Sequence, residues 1–277
     1  MLELIPMSKS LPKDEILKNI KYTNNDFVFA SGSLIQGIGN NKSDLDLFVV
    51  TESIDSLKGE QSIEYDNNYF MISFARIDGI DCDIEYWSLY VVEELLDQLE
   101  SIDFNDTNKR SLHQLNVRGG DFNSITSFLH RFITSTAIYN HDLYNSYKNK
   151  VNLKNYYRLM TRWYVNLVDN AYDDIIGNFE KGEYAASLII AKNTLIKALC
   201  AYVFSHNHSL DREKWAYINL KFIAEKNREA ADIINKFNKI YFFCNARNEN
   251  ELNNLVEDYI FFINRIIRLA GNNIGGL

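Results

Sequence analysis

At 277 residues the chain is long for one compact core and comfortable for two domains of ordinary size. Its 46% hydrophobic and 24% charged residues exclude a disordered chain, and a formal net charge of −8 without a basic block argues against nucleic acid as partner. A small or cationic ligand suits that balance better, although mild acidity also serves solubility.

The N-terminal stretch MLELIPMSKSLPKDEILKNI has no basic segment followed by an apolar one, so no leader is expected. No later run approaches about 18 uninterrupted apolar residues, so no membrane span is expected either. Within that stretch Pro12 precedes KDEILKNI, where Ile16, Leu17 and Ile20 predict a short amphipathic helix. Strands are predicted at residues 26–31, 44–51, 69–77 and 80–89 from their β-branched and aromatic content and their alternation, with Gly79 marking a turn between the last two. From about residue 121 the period becomes helical. One stripe joins Ile125, Phe128, Leu129, Phe132 and Ile133, a second runs from Leu153 to Ala171, and a third from Tyr184 to Tyr202. Two more follow around 228–243 and 250–270. No strand-like segment interrupts them, which predicts a helical bundle with its aromatic side chains mostly in the core. The polar, glycine-bearing stretches NDTNKR and VRGGD place the domain boundary between residues 112 and 113. Cys82, Cys200 and Cys244 are widely spaced among apolar neighbours and read as reduced core thiols, so a cytoplasmic protein is expected.

The segment FASGSLIQGIGNNKSDLDLFVV, residues 29–50, sets two carboxylates in an apolar run. In a strand, residues two apart share a face, so Asp44 and Asp46 lie side by side while Leu45, Leu47 and Val49 take the other face. Two such charges repel, and burying them without a counter-charge is costly. A divalent cation removes the objection, and paired carboxylates are a good seat for Mg²⁺, which leaves positions for phosphate and water. Gly32 and Ser33 end the preceding strand, where a glycine allows close approach of a phosphate and the N–H groups with the Ser hydroxyl can bond its oxygens. Gly37 and Gly39 return the chain, and Ser43 steadies that return or is an ordinary turn serine. IDCDIEYW offers Asp81, Asp83 and Glu85 on one face of a neighbouring strand. Asp83 is the central choice for a shared metal ligand or for the base that takes an acceptor proton, with Glu85 close behind.

A Gly-Ser turn and an Asp-x-Asp strand end are each common; their ordered combination is specific. Strand, Gly-Ser, further glycines, Ser-Asp-Leu-Asp-Leu and an acidic strand, over about residues 26–87, resemble the nucleotidyltransferase superfamily that includes polymerase β. The resemblance implies an α+β chain: a small mixed-sheet catalytic domain with flanking helices at 1–112, then an all-α bundle at 113–277 that binds acceptor and nucleotide. It further implies a nucleoside triphosphate donor, with ATP the first choice, and two Mg²⁺ ions on Asp44, Asp46 and Asp83. Gly32 and Ser33 match the phosphate-holding pair.

More loosely, KGEYAASLIIAKNTLIKALCAYVFSHNHSLDREKWAYINL resembles the C-terminal bundles of antibiotic nucleotidyltransferases of the aminoglycoside type. That implies NMP transfer to a hydroxyl of a small-molecule acceptor, and it is compatible with a homodimer. Lys192, ahead of Lys197 and Lys214, is the cation to test for triphosphate contact, although such lysines also snorkel from helix surfaces. Glu183 could meet a cationic acceptor or simply suit a helix N-terminus. His206 and His208 have no third ligand nearby and fit an interhelical loop. Alternative readings keep the chemistry with a protein or a second nucleotide as acceptor, as in toxin-antitoxin or signalling enzymes, or make the chain a non-catalytic nucleotide-binding module.

Overall fold

Two units, Met1–Asn152 and Leu153–Leu277, divide the chain, and the computed structural model describes residues 1–57, 63, 65–66, 69–106, 109–117 and 120–275. The first unit opens with a small hairpin, β1 (Leu2–Leu4) and β2 (Lys9–Leu11), followed by α1 (Lys13–Lys18) directly after Pro12. Then come β3 (Phe27–Ser31), β4 (Leu45–Thr51), β5 (Tyr65–Asp66), β6 (Phe70–Ile77), β7 (Ile80–Ser88) and α2 (Leu89–Glu100). The unit closes with α3 (Phe122–Ile133), β8 (Thr136–Tyr139) and α4 (His141–Lys148). Among the described residues the large sheet has the order β5-β6-β7-β4-β3-β8. β4 and β7 are parallel and the other pairs antiparallel, so the sheet is mixed and the fold class is α+β.

The two sheet faces are buried differently. One carries Val28, Ala30, Leu45, Leu47, Val49, Cys82 and Ile84, which pack with Leu4, Leu11 and Ile16 of the N-terminal segment into an aliphatic core. The other carries Phe27, Phe29, Phe48 and Trp87. There Phe29 stacks on Phe48 at 4.8 Å, and Phe128 of α3 meets Trp87 at 4.3 Å, while Phe132 of α3 and Tyr144 of α4 complete the cluster. Aromatic pairs of this kind fix α3 across the sheet. β6 and β7 are joined by Asp78 and Gly79, both with positive φ (50° and 78°), the two-residue turn that matches the twist of a hairpin.

Helix α3 starts at Asp121, whose carboxylate accepts from the backbone N–H groups of Asn123 and Ser124 and from the Ser124 hydroxyl. The Ser124 hydroxyl bond, followed by the backbone bonds, holds its pKa below the ordinary aspartate value against the opposing effect of burial. A depressed carboxylate stabilises the fold above its unfolded pKa and loses that contribution as pH falls through the lower folded value. Asp121→Ala is therefore expected to cost about 1 kcal/mol at neutral pH. In urea titrations its difference from the wild type should shrink as pH drops below roughly 4; an equal difference at both ends would contradict the cap.

The second unit comprises α5 (Leu153–Glu180), α6 (Tyr184–Ser205), α7 (Ala216–Ala224), α8 (Arg228–Phe237) and α9 (Glu249–Asn273). Its core holds Tyr156, Tyr202, Phe204, Phe237 and Tyr259. Among the described residues α6 is the helix long and apolar enough to cross a membrane, and it is mostly buried against α5 and α9, as the core helix of a bundle is.

Several expectations change. The unit boundary falls after Asn152, because β8 pairs with β3 and interrupts the helical stripes as a sheet strand. The expected boundary between residues 112 and 113 thus lies inside the first unit; Thr107, Asn108, Arg118 and Gly119 of the polar stretches around it lie outside the described residues. The stripe at 228–243 ends as a helix at Phe237 and continues as a wider π turn over Asn238–Phe242. From the end of that turn the chain runs at the surface, with Phe242, Phe243 and Cys244 exposed, so Cys244 is not a core thiol, whereas Cys82 and Cys200 are buried.

Candidate active site

At one end of the sheet, β3 finishes at Ser31 opposite Asp46, near the start of β4, and Asp46 is in turn the register partner of Asp83 on β7. Partners in a sheet share a face, so Asp46 and Asp83 leave the same side, the one lined further along by Phe48 and Trp87. Asp44, just before β4, is exposed. Asp81 sits at the rim, exposed and paired with its cross-strand neighbour Arg76 at 3.6 Å.

The turn after β3 is built around Gly32, with φ of +84°. A side chain there would start 1.7 Å from Asp46 Oδ2, so the carboxylate occupies the space that every other residue type would fill. The turn closes on itself: Gln36 N–H donates to the Gly32 carbonyl, and the N–H groups of Ile38 and Gly39 donate to that of Ser33. Gly39 then passes so near the Ser33 and Ser43 hydroxyls that a Cβ would lie 2.8 Å and 3.0 Å from them. Ser43 steadies the return, since its hydroxyl accepts from Asn40 N–H at 3.0 Å. One loop therefore sets Gly32 against Asp46 and gathers the Ser33 and Ser43 hydroxyls around Gly39.

Helix α3 adds contacts that no motif in the sequence announces. Ser31 Oγ donates to the Arg131 carbonyl at 2.7 Å, and the Gln36 side-chain amide donates to Nε2 of the buried His130 at 3.2 Å. The Arg131 guanidinium lies 3.7 Å from Asp46 Oδ1 and 3.6 Å from Glu85 Oε1. Trp87 Nε1–H donates to the other Glu85 oxygen at 2.8 Å. Burial pushes the Glu85 carboxyl above its usual range; the Arg131 charge and the Trp87 hydrogen bond oppose that, and the nearby Asp83 charge adds to it. Glu85 is thus spoken for by Trp87 and Arg131, and Asp83 is the acid set in register with Asp46. Burial first, then the charges of Asp81, Asp83 and Asp44 against an opposing backbone hydrogen bond, push the Cys82 thiol up to about 11. The signal that could have exposed Arg131 was a basic residue inside the stripe of Phe128, Leu129 and Phe132, which a buried helix face tolerates only with a partner.

Lys192 lies on α6 in the second unit, half-buried, with its ammonium 5.9 Å from the Tyr241 ring centroid. That contact supplies a reason for a lysine in an apolar helix. Lys214 similarly caps the Trp215 ring at 4.7 Å. Glu183 is the N-cap residue of α6, without a side-chain cap bond. His206 is held in the loop after α6, where its Nδ1 faces the Tyr202 carbonyl at 3.0 Å and its Nε2 the Asn227 amide at 3.3 Å.

Asp44, Asp46 and Asp83 offer only oxygen donors, the kind a hard cation such as Mg²⁺ takes. Among the described residues no three His, Cys, Asp or Glu side chains already converge as a metal-holding group. Asp46 and Asp83, on one face of the sheet, fit such an ion in kind, while Asp44 lies exposed before β4. Beside Asp46 stands the glycine-bearing turn that carries the Ser33 and Ser43 hydroxyls.

The fold and this site define an α+β protein with an acidic sheet end set beside a Gly-Ser turn. Among solved structures, the chain is similar to a nucleotidyltransferase-like protein from Exiguobacterium sibiricum 255-15. The identity is 10% and the TM-score 0.49, over 91% of this chain and 72% of that one. No family model and no curated protein matches the sequence.

Proposed function

We propose that the chain is a metal-dependent nucleotidyltransferase that moves an NMP, with AMP from ATP the first choice, onto a hydroxyl of a small-molecule acceptor. The observation that carries this reading is the seating of Asp46 on Gly32, with Asp83 in register beside it. It joins a phosphate-receiving turn and a pair of oxygen donors in one structural unit. In the reaction the acceptor oxygen forms a bond to the α-phosphorus, the bond from that phosphorus to the bridging oxygen breaks, and pyrophosphate leaves with the electron pair. Gly32 and Ser33 would hold the triphosphate oxygens, and Asp44, Asp46 and Asp83 would bind the divalent ions. When bound, Mg²⁺ neutralises the triphosphate and polarises the reacting oxygens. Asp83 would take the acceptor proton. The acceptor we favour is cationic, of the aminoglycoside class, which suits the net charge of −8 of the chain.

Incubation of the chain with Mg²⁺, each of the four NTPs and panels of aminoglycosides, other hydroxylic small molecules and cell extract tests this by mass spectrometry. An acceptor heavier by about 329 Da identifies AMP transfer with release of pyrophosphate. NTP binding without pyrophosphate release on any acceptor would sink the enzymatic reading. A mass gain on a protein in the extract would instead reassign the acceptor.

A further inference from the structure

We propose that Arg131 is the positioning residue of the carboxylate site: it holds Asp46 against Gly32 and takes Glu85 as its own buried anchor. That Asp46 meets a cation belongs to the nucleotidyl-transfer reading, and the proposal deepens it by naming what orients that carboxylate.

The guanidinium is fixed from below. Arg131 Nη1 donates to Ser127 Oγ at 2.7 Å, one turn back on α3; its Cζ stands 5.8 Å from the Phe48 ring centroid, and Glu85 Oε1 lies 3.6 Å away. Glu85 in turn is pinned by Trp87, itself buried in the aromatic cluster. From that seat the other terminal nitrogen reaches Asp46 Oδ1 at 3.7 Å, while Asp46 Oδ2 fills the space over Gly32. The two Asp46 oxygens therefore have different neighbours, one the guanidinium and one the turn, and together these select one orientation of the carboxylate. A planar guanidinium can address two carboxylates at fixed angles, which an ammonium point charge does less well. Because Glu85 balances the arginine charge, this support adds little net repulsion toward a cation approaching Asp46.

Removing Arg131 alone would strand Glu85 as a buried, uncompensated carboxylate, so the informative variant removes both charges. Two measurements on the full metal-free chain test the proposal: hydrogen exchange at the amides of Gln36, Ile38 and Gly39, which close the turn, and Mn²⁺ titration followed by electron paramagnetic resonance. In R131M/E85Q, with melting confirming a folded chain, exchange at these amides should quicken by about tenfold or more. Its Mn²⁺ affinity should fall by roughly 10–100-fold. R131K, which keeps the charge but not the planar fork, should fall between the wild type and the double variant in both readouts. Should the double variant fail to fold, E85Q alone, nearly isosteric, should move both readouts the same way by less. Unchanged exchange in these variants overturns the proposal, as does unchanged affinity when the wild type binds Mn²⁺. A wild type that binds no Mn²⁺, with the exchange effect of Arg131 intact, would instead overturn the nucleotidyl-transfer reading and leave the hold of Arg131 on Asp46 standing.

Discussion

Asp46→Asn is expected to lower nucleotidyl transfer by about 10³-fold or more while the chain stays folded. The change removes one charge and keeps the shape. Asp46 is at once the occupant of the space over Gly32, the partner of Arg131 and the register neighbour of Asp83, so each relation at the site passes through its carboxylate. Stability should change little, because the Asp46 side chain is partly exposed and Arg131 retains Glu85 as counter-charge. Asp83→Asn should behave alike. Asp81→Asn should remain close to wild type, since Asp81 is exposed and its pair with Arg76 is of a kind worth about 0–1 kcal/mol. Pyrophosphate release measured across the three variants checks the assignment, and Mg²⁺-dependent turnover surviving in Asp46→Asn or Asp83→Asn would refute it.

Gly32→Ala combines two effects that a second glycine separates. At Gly32 an alanine must adopt φ near +84° and place its Cβ 1.7 Å from Asp46 Oδ2, so the backbone is strained and the carboxylate must move. Gly79, with φ of +78°, would be equally strained, yet its Cβ would meet no atom within 4 Å. Both substitutions should cost roughly 1–3 kcal/mol of stability. Only Gly32→Ala should also lose about 10²-fold or more in turnover, because it displaces Asp46 by a distance on the scale that misaligns reacting groups. Thermal melts with parallel activity measurements decide this; equal losses of turnover in both variants would show that strain alone, rather than the displaced carboxylate, matters.

Much of this site was legible before the fold. The strand ending at Ser31, the Gly-Ser turn and the strand that carries Asp46 are short-range patterns, but the shared strand face expected for Asp44 is not formed, because β4 begins at Leu45 and leaves Asp44 exposed before it. The period of a strand put Asp81, Asp83 and Glu85 on one face but could not rank them. Their surroundings differ only in the tertiary structure: the register of β7 against β4 pairs Asp83 with Asp46, Glu85 meets Trp87 and Arg131, and Asp81 meets Arg76.

The sequence alone determined the elements that local period and turn chemistry specify: α1, the strands β3, β4, β6 and β7, the turn at Gly79, and the long helices of the second unit. Only the tertiary structure decided that β8 belongs to the sheet, that α3 belongs to the first unit, and that Arg131 stands between Asp46 and Glu85. The reason is physical. Strand pairing, ion pairing and hydrogen bonds across a hundred residues of chain, such as that from the Ser31 hydroxyl to the Arg131 carbonyl, leave no period in the sequence, because their partners are chosen by burial of the aromatic face and not by neighbours along the backbone.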